Sequence, residues 1–204
     1  MADLAGRSTS AMLLAADVGN TNITLGLFRA RTLAFQSRLP TQAGISAKKL
    51  ALDLRRALRG EIHSAVVYGS VVPSLDKTFA AAARALWGLS PVCVTPKSPL
   101  GFRLKVDRPA EVGADRVLNT LAALRRYGAP AVIVDFGTAT TFDCVSQRGD
   151  YLGGAILLGP KLAAKALKLY TAKLPEVAMA RTRRVIGRNT VECIQAGLYH
   201  GYFG

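Results

Sequence analysis

Two short segments of the sequence combine an acid, a glycine and hydroxyl or amide side chains in the same order. Residues 17–21 read Asp-Val-Gly-Asn-Thr, and residues 135–140 read Asp-Phe-Gly-Thr-Ala-Thr. A glycine lets backbone N–H groups come close to an anion. The hydroxyl groups of Thr21, Thr138 and Thr140 can add donors, and a carboxylate can hold a cation beside the anion. The pattern therefore predicts binding of a phosphate chain together with its cation.

Each segment alone is also typical of a tight hairpin turn capped by its own aspartate. For a single segment that structural interpretation is the better one. Two such turns, each followed by a returning strand, favour nucleotide binding instead. Neither of the common nucleotide-binding loops, GxxxxGK[ST] and GxGxxG, occurs in the sequence.

A third acid stands at the predicted start of a helix, in residues 113–116, which read Gly-Ala-Asp-Arg. Because a helix N-terminus favours anions, Asp115 beside Arg116 can be an ordinary capping ion pair. In a chain with two phosphate turns, Asp115 is also the best candidate to orient an attacking hydroxyl and to accept its proton late. Residues 186–190 form another glycine turn before a helix, where Asn189 or Thr190 could cap that helix or touch a substrate.

The apolar periodicity predicts strands that alternate with helices, which is an α/β fold. The strand–turn–strand opening recurs, once at 12–28 and once at 131–145, and suggests two related lobes with a cleft between them. We expect a loose leader at 1–11, a first lobe at 12–128 and a second at 129–204. Strands are predicted at 12–17, 23–28, 34–39, 65–69, 92–95, 131–135 and 142–145, with a further apolar run at 153–158, and helices at 46–59, 73–87, 111–126, 161–170 and 190–202.

Composition narrows the class of protein. Half of the residues are hydrophobic, and no apolar run reaches the roughly 18–20 residues of a membrane span. Asp3 spoils a signal-peptide start, and three scattered cysteines exclude a disulfide framework, so we expect a cytoplasmic protein. The 27 Lys and Arg against 13 Asp and Glu give a net charge of +14. Such a surface attracts anions, but no nucleic-acid-binding motif is visible, and nucleic acid is not the expected partner.

Five segments, in order, resemble the type III pantothenate kinases. They are DVGNTN at 17–22, GADR at 113–116, DFGTATT at 135–141, GGAI at 153–156 and IGRNTVECIQAG at 186–197. Their order and spacing match from Leu13 to Gly204. That family belongs to the acetate kinase/Hsp70/actin-like ATPases. The resemblance therefore implies two actin-like, ribonuclease H-like lobes around a central cleft, with the second lobe truncated in this chain.

The resemblance also implies roles for individual residues. Asp115 matches the proton acceptor, and Asp135 matches the position that binds a monovalent cation, K⁺ or NH₄⁺. The residues that match pantothenate contacts are Gly113, Ala114, Asp115, Arg116 and Thr190. The residues that match ATP contacts are Asp17, Val18, Gly19, Asn20, Thr21, Asn22, Ile23, Thr24 and Thr138.

The implied activity is the ATP-dependent phosphorylation of pantothenate to 4′-phosphopantothenate, the first step of coenzyme A biosynthesis. Mg²⁺ would neutralise the phosphates, and members are usually homodimers with the pantothenate site close to the subunit interface. Two alternatives stay open. One is a non-catalytic nucleotide-binding relative with a regulatory or nucleic-acid contact, against which the three aspartates argue. The other is a different sugar or acid kinase of the same fold.

The sequence departs from the family pattern at three places. Val106 stands seven residues before Gly113, where the family usually has a substrate-contacting tyrosine, and Leu158 stands where it usually has a proline. Family members also continue beyond the position of Gly204, with a glycine-rich segment expected to close on the adenine. We therefore expect weaker nucleotide binding from this chain.

Overall fold

The computed structural model describes residues 12–59 and 64–203. The predicted leader at 1–11 lies outside the described residues. The chain divides into two compact units: the first reaches Gly101 and includes Asp107–Ala122, and the second consists of Phe102–Val106 and Ala123–Gly204. Both contain a sheet and helices, so the α/β class is confirmed. The lobe boundary between 128 and 129 stays a prediction.

The first unit is built on a five-stranded sheet with the order β3-β2-β1-β4-β5. The strands β1, β2 and β3 form an antiparallel meander, whereas β4 and β5 run parallel to β1. The carboxyl ends of the three parallel strands therefore meet at one edge of the sheet. The elements are β1 (Met12–Val18), β2 (Asn22–Arg29), β3 (Thr32–Pro40), α1 (Ala47–Ala57), β4 (Ala65–Ser70), α2 (Pro73–Trp87), β5 (Val92–Val94) and α3 (Ala114–Tyr127), whose last turn belongs to the second unit.

The core of the first unit lies between one face of the sheet and the helices α1 and α2. Alternate residues of β1, such as Leu14 and Val18, are fully buried, as a strand with one covered face requires. They join one cluster with Leu54 of α1 and Phe79 of α2. α1 begins after Ser46, whose side chain accepts a hydrogen bond from the Lys49 amide at 3.2 Å, so the predicted N-cap is confirmed.

The start of α3 differs from the prediction. The sequence predicted a helix from Glu111, but α3 begins at Ala114. Residues Pro109–Glu111 form a separate 3-10 turn, and Val112 after it is extended, with φ −67° and ψ 127°. This extended residue separates the two helical segments, so that residues 113–116 form the first turn of α3.

The second unit has a three-stranded antiparallel sheet with the order β6-β7-β8. The elements are β6 (Ala131–Phe136), β7 (Ala139–Val145), β8 (Tyr151–Leu158), α4 (Pro160–Leu169) and α5 (Thr190–Phe203). α4 and α5 share a small cluster with Val177. The segment Phe102–Val106 pairs with the start of β8, since the Lys105 amide donates to the Tyr151 carbonyl at 2.8 Å.

Candidate active site

The first phosphate-binding candidate is the turn between β1 and β2. The Gly19 amide donates to the Asn22 carbonyl at 3.0 Å, and a Cβ at Gly19 would lie only 3.1 Å from that same oxygen. Thr41, at the end of β3, donates its hydroxyl to the Gly19 carbonyl at 2.6 Å and its amide to the Thr21 carbonyl at 2.9 Å. The predicted hairpin turn is present, and the two hydrogen bonds from Thr41 hold its backbone in place.

The third acid occupies the first turn of α3. The Arg116 amide donates to Asp115 Oδ1 at 2.7 Å. A Cβ at Gly113 would collide with that same oxygen, so any other residue there would require the Asp115 carboxylate to move from its place over the start of the helix. The Gly113 carbonyl accepts the Val117 amide at 3.1 Å and thereby opens the helical ladder. The capping interpretation of Asp115 is therefore correct in part, and its role as a proton acceptor stays a prediction.

A glycine on β4 brings α3 onto the same face of the sheet as Asp17. Gly69 is the register partner of Asp17 in the parallel pairing of β1 and β4. A Cβ at Gly69 would collide with the side chain of Leu118 and would lie 3.7 Å from Cβ of Ala114. Because register partners on neighbouring strands point to the same face, α3 packs at Gly69 on the face to which Asp17 points.

The start of α3 also lies at the edge of the sheet where the carboxyl ends of β1 and β4 meet. The Val71 amide, just past the end of β4, donates to the Val18 carbonyl at 3.0 Å. A Cβ at Gly113 would lie 3.5 Å from Cγ1 of Val71. Residues 113–116 thus stand beside the carboxyl ends of β1 and β4, where β1 enters the turn at 17–22. The structure brings these two predicted segments together within the first unit.

Sequence reasoning missed Gly69. The available signal was a lone glycine inside an otherwise apolar strand, which often marks a close approach of another part of the chain.

The second phosphate-binding candidate, in the second unit, is the turn between β6 and β7. The Gly137 amide donates to the Ala139 carbonyl at 2.9 Å, and Thr138 is exposed. The Gly159 amide donates to the Thr138 carbonyl at 2.8 Å, and a Cβ at Gly159 would collide with the carbonyl oxygens of Gly137 and Thr138. The connection from β8 to α4 therefore closes onto this turn, a role for Gly159 that sequence reasoning did not assign.

Asp135 shares its face of the second sheet with two polar residues of β7. Thr141 is its register partner, and Asp143 lies one step further along the same face. The Asp143 side chain is fully buried and accepts a hydrogen bond from the Tyr151 hydroxyl at 2.8 Å. The hydroxyl of Thr141 is buried and has no hydrogen-bond partner in the described part of the chain. Sequence reasoning did not consider Asp143, whose position beside Asp135 depends on the register of the two strands.

The turn at 186–190 is a helix cap. The Glu192 amide donates to Asn189 Oδ1 at 2.9 Å, and the Arg188 amide donates to Glu192 Oε2 at 2.9 Å. Asn189 Oδ1 thus satisfies a free amide of the first turn, and Glu192 reaches back to the amide before the cap, one residue earlier than in a capping box. A Cβ at Gly187 would collide with the backbone of Cys193, so the turn requires glycine there. Asn189 is thus the cap, and the contact of the exposed Thr190 with pantothenate stays a prediction.

Val106, one of the departures from the family pattern, has a packing role. Cγ1 of Val106 lies 3.4 Å from the position that a Cβ would take at Gly153, whose φ is +97°. Val106 therefore packs against the start of the segment GGAI at 153–156. The side chain at 106 is directed at β8 of its own unit.

Two tyrosines have shifted pKa values, and each has a structural cause. Burial, followed by a hydrogen bond to Cys93, raises the pKa of Tyr68, which precedes Gly69 on β4. Burial also raises the pKa of Tyr202, whose hydroxyl donates to the Leu158 carbonyl. Both phenols therefore stay protonated to higher pH than a free tyrosine.

Residues 12–59 and 64–203 contain no group of three or more His, Cys, Asp or Glu side chains placed to hold a metal ion. They also contain no helix that is long and apolar enough to cross a membrane.

Comparison with known proteins shows which protein family the chain resembles. A sequence profile of type III pantothenate kinase matches residues 13–204. The type III pantothenate kinase of Moorella thermoacetica is 43% identical over 199 residues, a match that covers 95% of this chain and 78% of the relative. The type III pantothenate kinase of Solibacter usitatus is 41% identical over 204 residues, covering 95% and 76%.

The chain belongs to the type III pantothenate kinase family. The resemblance drawn from five sequence segments is thereby confirmed, and the two segments that meet in the first unit are two of those five. Asn189 and Gly187 belong to a third of the five segments, residues 186–197, where the family's sequence pattern coincides with a helix cap.

Solved structures give more distant likenesses. A Ppx/GppA phosphatase of Aquifex aeolicus is 10% identical with a TM-score of 0.48 and covers 81% of this chain and 57% of that chain. A ROK hexokinase of Thermus thermophilus is 18% identical with a TM-score of 0.38 and covers 69% and 47%. The assignment to the family rests on the sequence relatives.

Proposed function

We propose that this chain transfers the γ-phosphoryl group of ATP to the primary hydroxyl of pantothenate and so forms 4′-phosphopantothenate in coenzyme A biosynthesis. The observation that carries the proposal is the meeting of two segments in the first unit: the turn that follows Asp17 and the helix start that holds Asp115. A phosphate-binding turn beside an acid at a helix start is the pair of features that phosphoryl transfer to an alcohol needs.

The first turn supplies the phosphate contacts. Residues 17–24 would bind the ATP phosphates through backbone N–H groups and hydroxyls, and Thr138 of the second unit would add a contact of its own. The close contact at Gly19 supports this assignment, because a side chain there would crowd the turn that must admit the anion.

A kinase of this family uses a divalent metal with ATP, and we propose Mg²⁺, which neutralises charge on the phosphate oxygens. For the monovalent cation, K⁺ or NH₄⁺, we propose Asp135. The donor set fits: Asp135 is exposed at the end of β6, and the buried hydroxyl of Thr141 stands opposite it on the same face. Carboxylate and hydroxyl oxygens are suitable ligands for a hard cation.

Asp115 would orient the attacking hydroxyl. A carboxylate is a weak base for an alcohol, so its contribution is to hold the hydroxyl in line and to take the proton late. Its Oδ1 is already fixed by the Arg116 amide, which restricts the carboxylate to one orientation over the first turn of α3. Gly113, Ala114, Arg116 and Thr190 would complete the pantothenate contacts, and we propose a homodimer.

The test is a coupled assay of ADP release with and without pantothenate, in potassium and in sodium buffer. Pantothenate-dependent ADP release, faster in potassium, is the expected result. ADP release that needs a different alcohol would point to another kinase of the same fold. Nucleotide binding without turnover, together with DNA binding that weakens steeply with salt, would favour the non-catalytic alternative.

A further inference from the structure

Positive charge is concentrated in one stretch of the second unit, residues 161–188. This stretch holds eight lysines and arginines and a single acid, Glu176. All eight basic residues are exposed, and they are Lys161, Lys165, Lys168, Lys173, Arg181, Arg183, Arg184 and Arg188. A surface of this kind attracts a partner of negative charge.

The protein itself neutralises little of this charge. Within residues 12–59 and 64–203, Lys168 is the only one of the eight basic residues that makes an ion pair, with its Nζ 3.7 Å from Oε2 of Glu176. The side chains of this pair are 59% and 46% exposed. An ion pair between exposed side chains contributes little and is screened by salt. The charge of the stretch is therefore free to act on an external partner.

Helix α4 arranges its three lysines in one row. Lys161, Lys165 and Lys168 follow the spacing i, i+4, i+7, which places them on one side of a helix. A different side of α4 packs in the protein, since Ala164 and Leu167 belong to the cluster formed with α5. The lysine row therefore points away from the core and faces solvent.

A pair of exposed leucines lies beside the lysine row. Leu162 and Leu169 are seven residues apart and so share a side of α4. They are 37% and 75% exposed, and Tyr170, just past the end of the helix, is 83% exposed. A single exposed leucine is ordinary. An exposed apolar strip next to a row of lysines is instead the pattern of a helix that lies at a membrane surface.

The mixture of side chains favours one kind of anionic partner. Leucine side chains gain free energy where lipid headgroups meet acyl chains, and they gain nothing from the phosphates of a nucleic acid. Tyr170 is the only aromatic residue of 160–188, whereas proteins that bind single-stranded nucleic acid stack several bases on aromatic side chains. A second copy of the chain on the same surface would bring like charges together. An anionic lipid surface uses both the lysines and the leucines.

We propose that the outer side of α4, together with the basic segment 173–188, binds the surface of a membrane that contains anionic phospholipids. The lysines contact lipid phosphates, and Leu162, Leu169 and Tyr170 enter the headgroup region. This binding is peripheral. It does not depend on which alcohol the enzyme phosphorylates, because none of these residues has a role in the proposed reaction.

The test measures how much of the whole chain sediments with lipid vesicles. One set of vesicles is phosphatidylcholine alone, and the other is two parts phosphatidylcholine to one part phosphatidylglycerol. We expect at least tenfold tighter binding to the acidic vesicles at about 0.1 M salt, where charges act over about 10 Å. The chain should be released at about 1 M salt, where that length falls to about 3 Å.

A matched pair of triple variants separates this surface from net charge. Replacing Lys161, Lys165 and Lys168 together by Gln should weaken binding to acidic vesicles about 100-fold, since each lysine at an anionic surface contributes about fivefold. The control replaces three exposed basic residues of α1 by Gln, one of which is also in an ion pair: Lys48, Lys49 and Arg55. The control should weaken binding far less, and both variants should unfold at the temperature of the parent chain.

A second pair of variants separates lipid from nucleic acid. Leu169→Ser should weaken binding to acidic vesicles about tenfold, because a leucine that enters an apolar phase contributes at least that much. Leu52→Ser, at an exposed position of α1, should leave vesicle binding unchanged. A duplex DNA oligonucleotide serves as the competing anion in the same salt.

Four results would overturn the proposal. Two are equal binding to neutral and acidic vesicles, and equal loss of binding in the two triple variants. The third is tighter binding to the oligonucleotide than to acidic vesicles without any effect of Leu169→Ser, because the occupant would then be nucleic acid. The fourth is a dimer that dissociates in the α4 triple variant, measured by analytical ultracentrifugation, because the occupant would then be a second copy.

Discussion

Gly69 is the register partner of Asp17, and the missing side chain at Gly69 is what allows Leu118 to pack against the sheet at this point. This contact holds the helix that carries Asp115 against the strand next to the turn that follows Asp17.

Gly69→Ala should therefore damage both stability and turnover. The added Cβ would collide with Cδ1 of Leu118, which must change rotamer or move with α3, and overpacking of this kind costs about 1–3 kcal/mol. We expect a lower free energy of unfolding in urea and a larger fall in kcat/KM for pantothenate than in ATP affinity. Gly197→Ala is the control, since it lies in α5 with no atom within 4 Å of the new Cβ. The control should gain about 0.5–1 kcal/mol. Equal effects of the two variants would contradict the packing argument.

Asp115→Asn should abolish most turnover and spare ATP binding. Loss of a proton-accepting carboxylate typically lowers the rate by about 10²–10⁴-fold, while the amide keeps an oxygen that can still accept from the Arg116 amide. Steady-state kinetics and calorimetric titration with ATP measure the two effects. Asp53→Asn on α1, which removes an exposed ion pair with Lys49, should leave both unchanged. If ATP binding fell together with turnover, misfolding would explain the loss better than catalysis.

Gly159→Ala should disturb the second phosphate turn. The new Cβ would meet two backbone carbonyl oxygens, of Gly137 and Thr138, and backbone cannot give way as a flexible side chain can. We expect weaker ATP binding and a loss of about 1–3 kcal/mol in unfolding free energy. Gly201→Ala, which meets nothing within 4 Å in α5, is the matched control. ATP affinity that stays at the parent value would show that the turn does not contact the nucleotide.

Variants at Asn189 and Thr190 should distinguish a residue that stabilises α5 from one that binds pantothenate. Asn189→Ala removes the side chain that caps α5, which should cost about 0.5–2 kcal/mol in stability. Thr190→Val keeps the shape but removes a hydroxyl, so it should raise KM for pantothenate without changing the unfolding free energy. Thermal unfolding and substrate titration, run on both variants, check this. A Thr190→Val enzyme with unchanged KM would remove Thr190 from the pantothenate site.

Tyr68 should make the protein sensitive to alkaline pH. Burial raises the pKa of its phenol in the folded state well above the ordinary value for tyrosine, about 10. Above pH 10 the unfolded chain loses this proton while the folded chain keeps it. The unfolded state then binds fewer protons, and the free energy of unfolding falls as pH rises. Tyr68→Phe should flatten the part of this fall that lies above pH 10, as measured by urea unfolding from about pH 9 to about pH 11. Tyr127→Phe, at an exposed position, should behave like the parent chain.

Some features of the fold and the site could be predicted because they depend on neighbours in the chain. The strands around 12–17 and 131–135, the leucine-spaced helix α1 and the turns after Asp17 and Asp135 follow from alternation, helical spacing and turn chemistry. The helix cap at Asn189 was one of the open alternatives for the same reason, since all its atoms lie within a few residues.

Other features depend on contacts between distant parts of the chain, and only the tertiary structure decided them. Gly69 meets Leu118, Gly159 meets the turn at 137–138, and Asp143 lies beside Asp135 across a strand pair. No local pattern fixes such partners, because register and close packing arise only when the elements assemble. The sequence by itself predicted which residues carry the chemistry and determined which end of each strand they occupy. The tertiary structure decided which of them meet, because a glycine is a close contact only when a particular helix or turn packs against it.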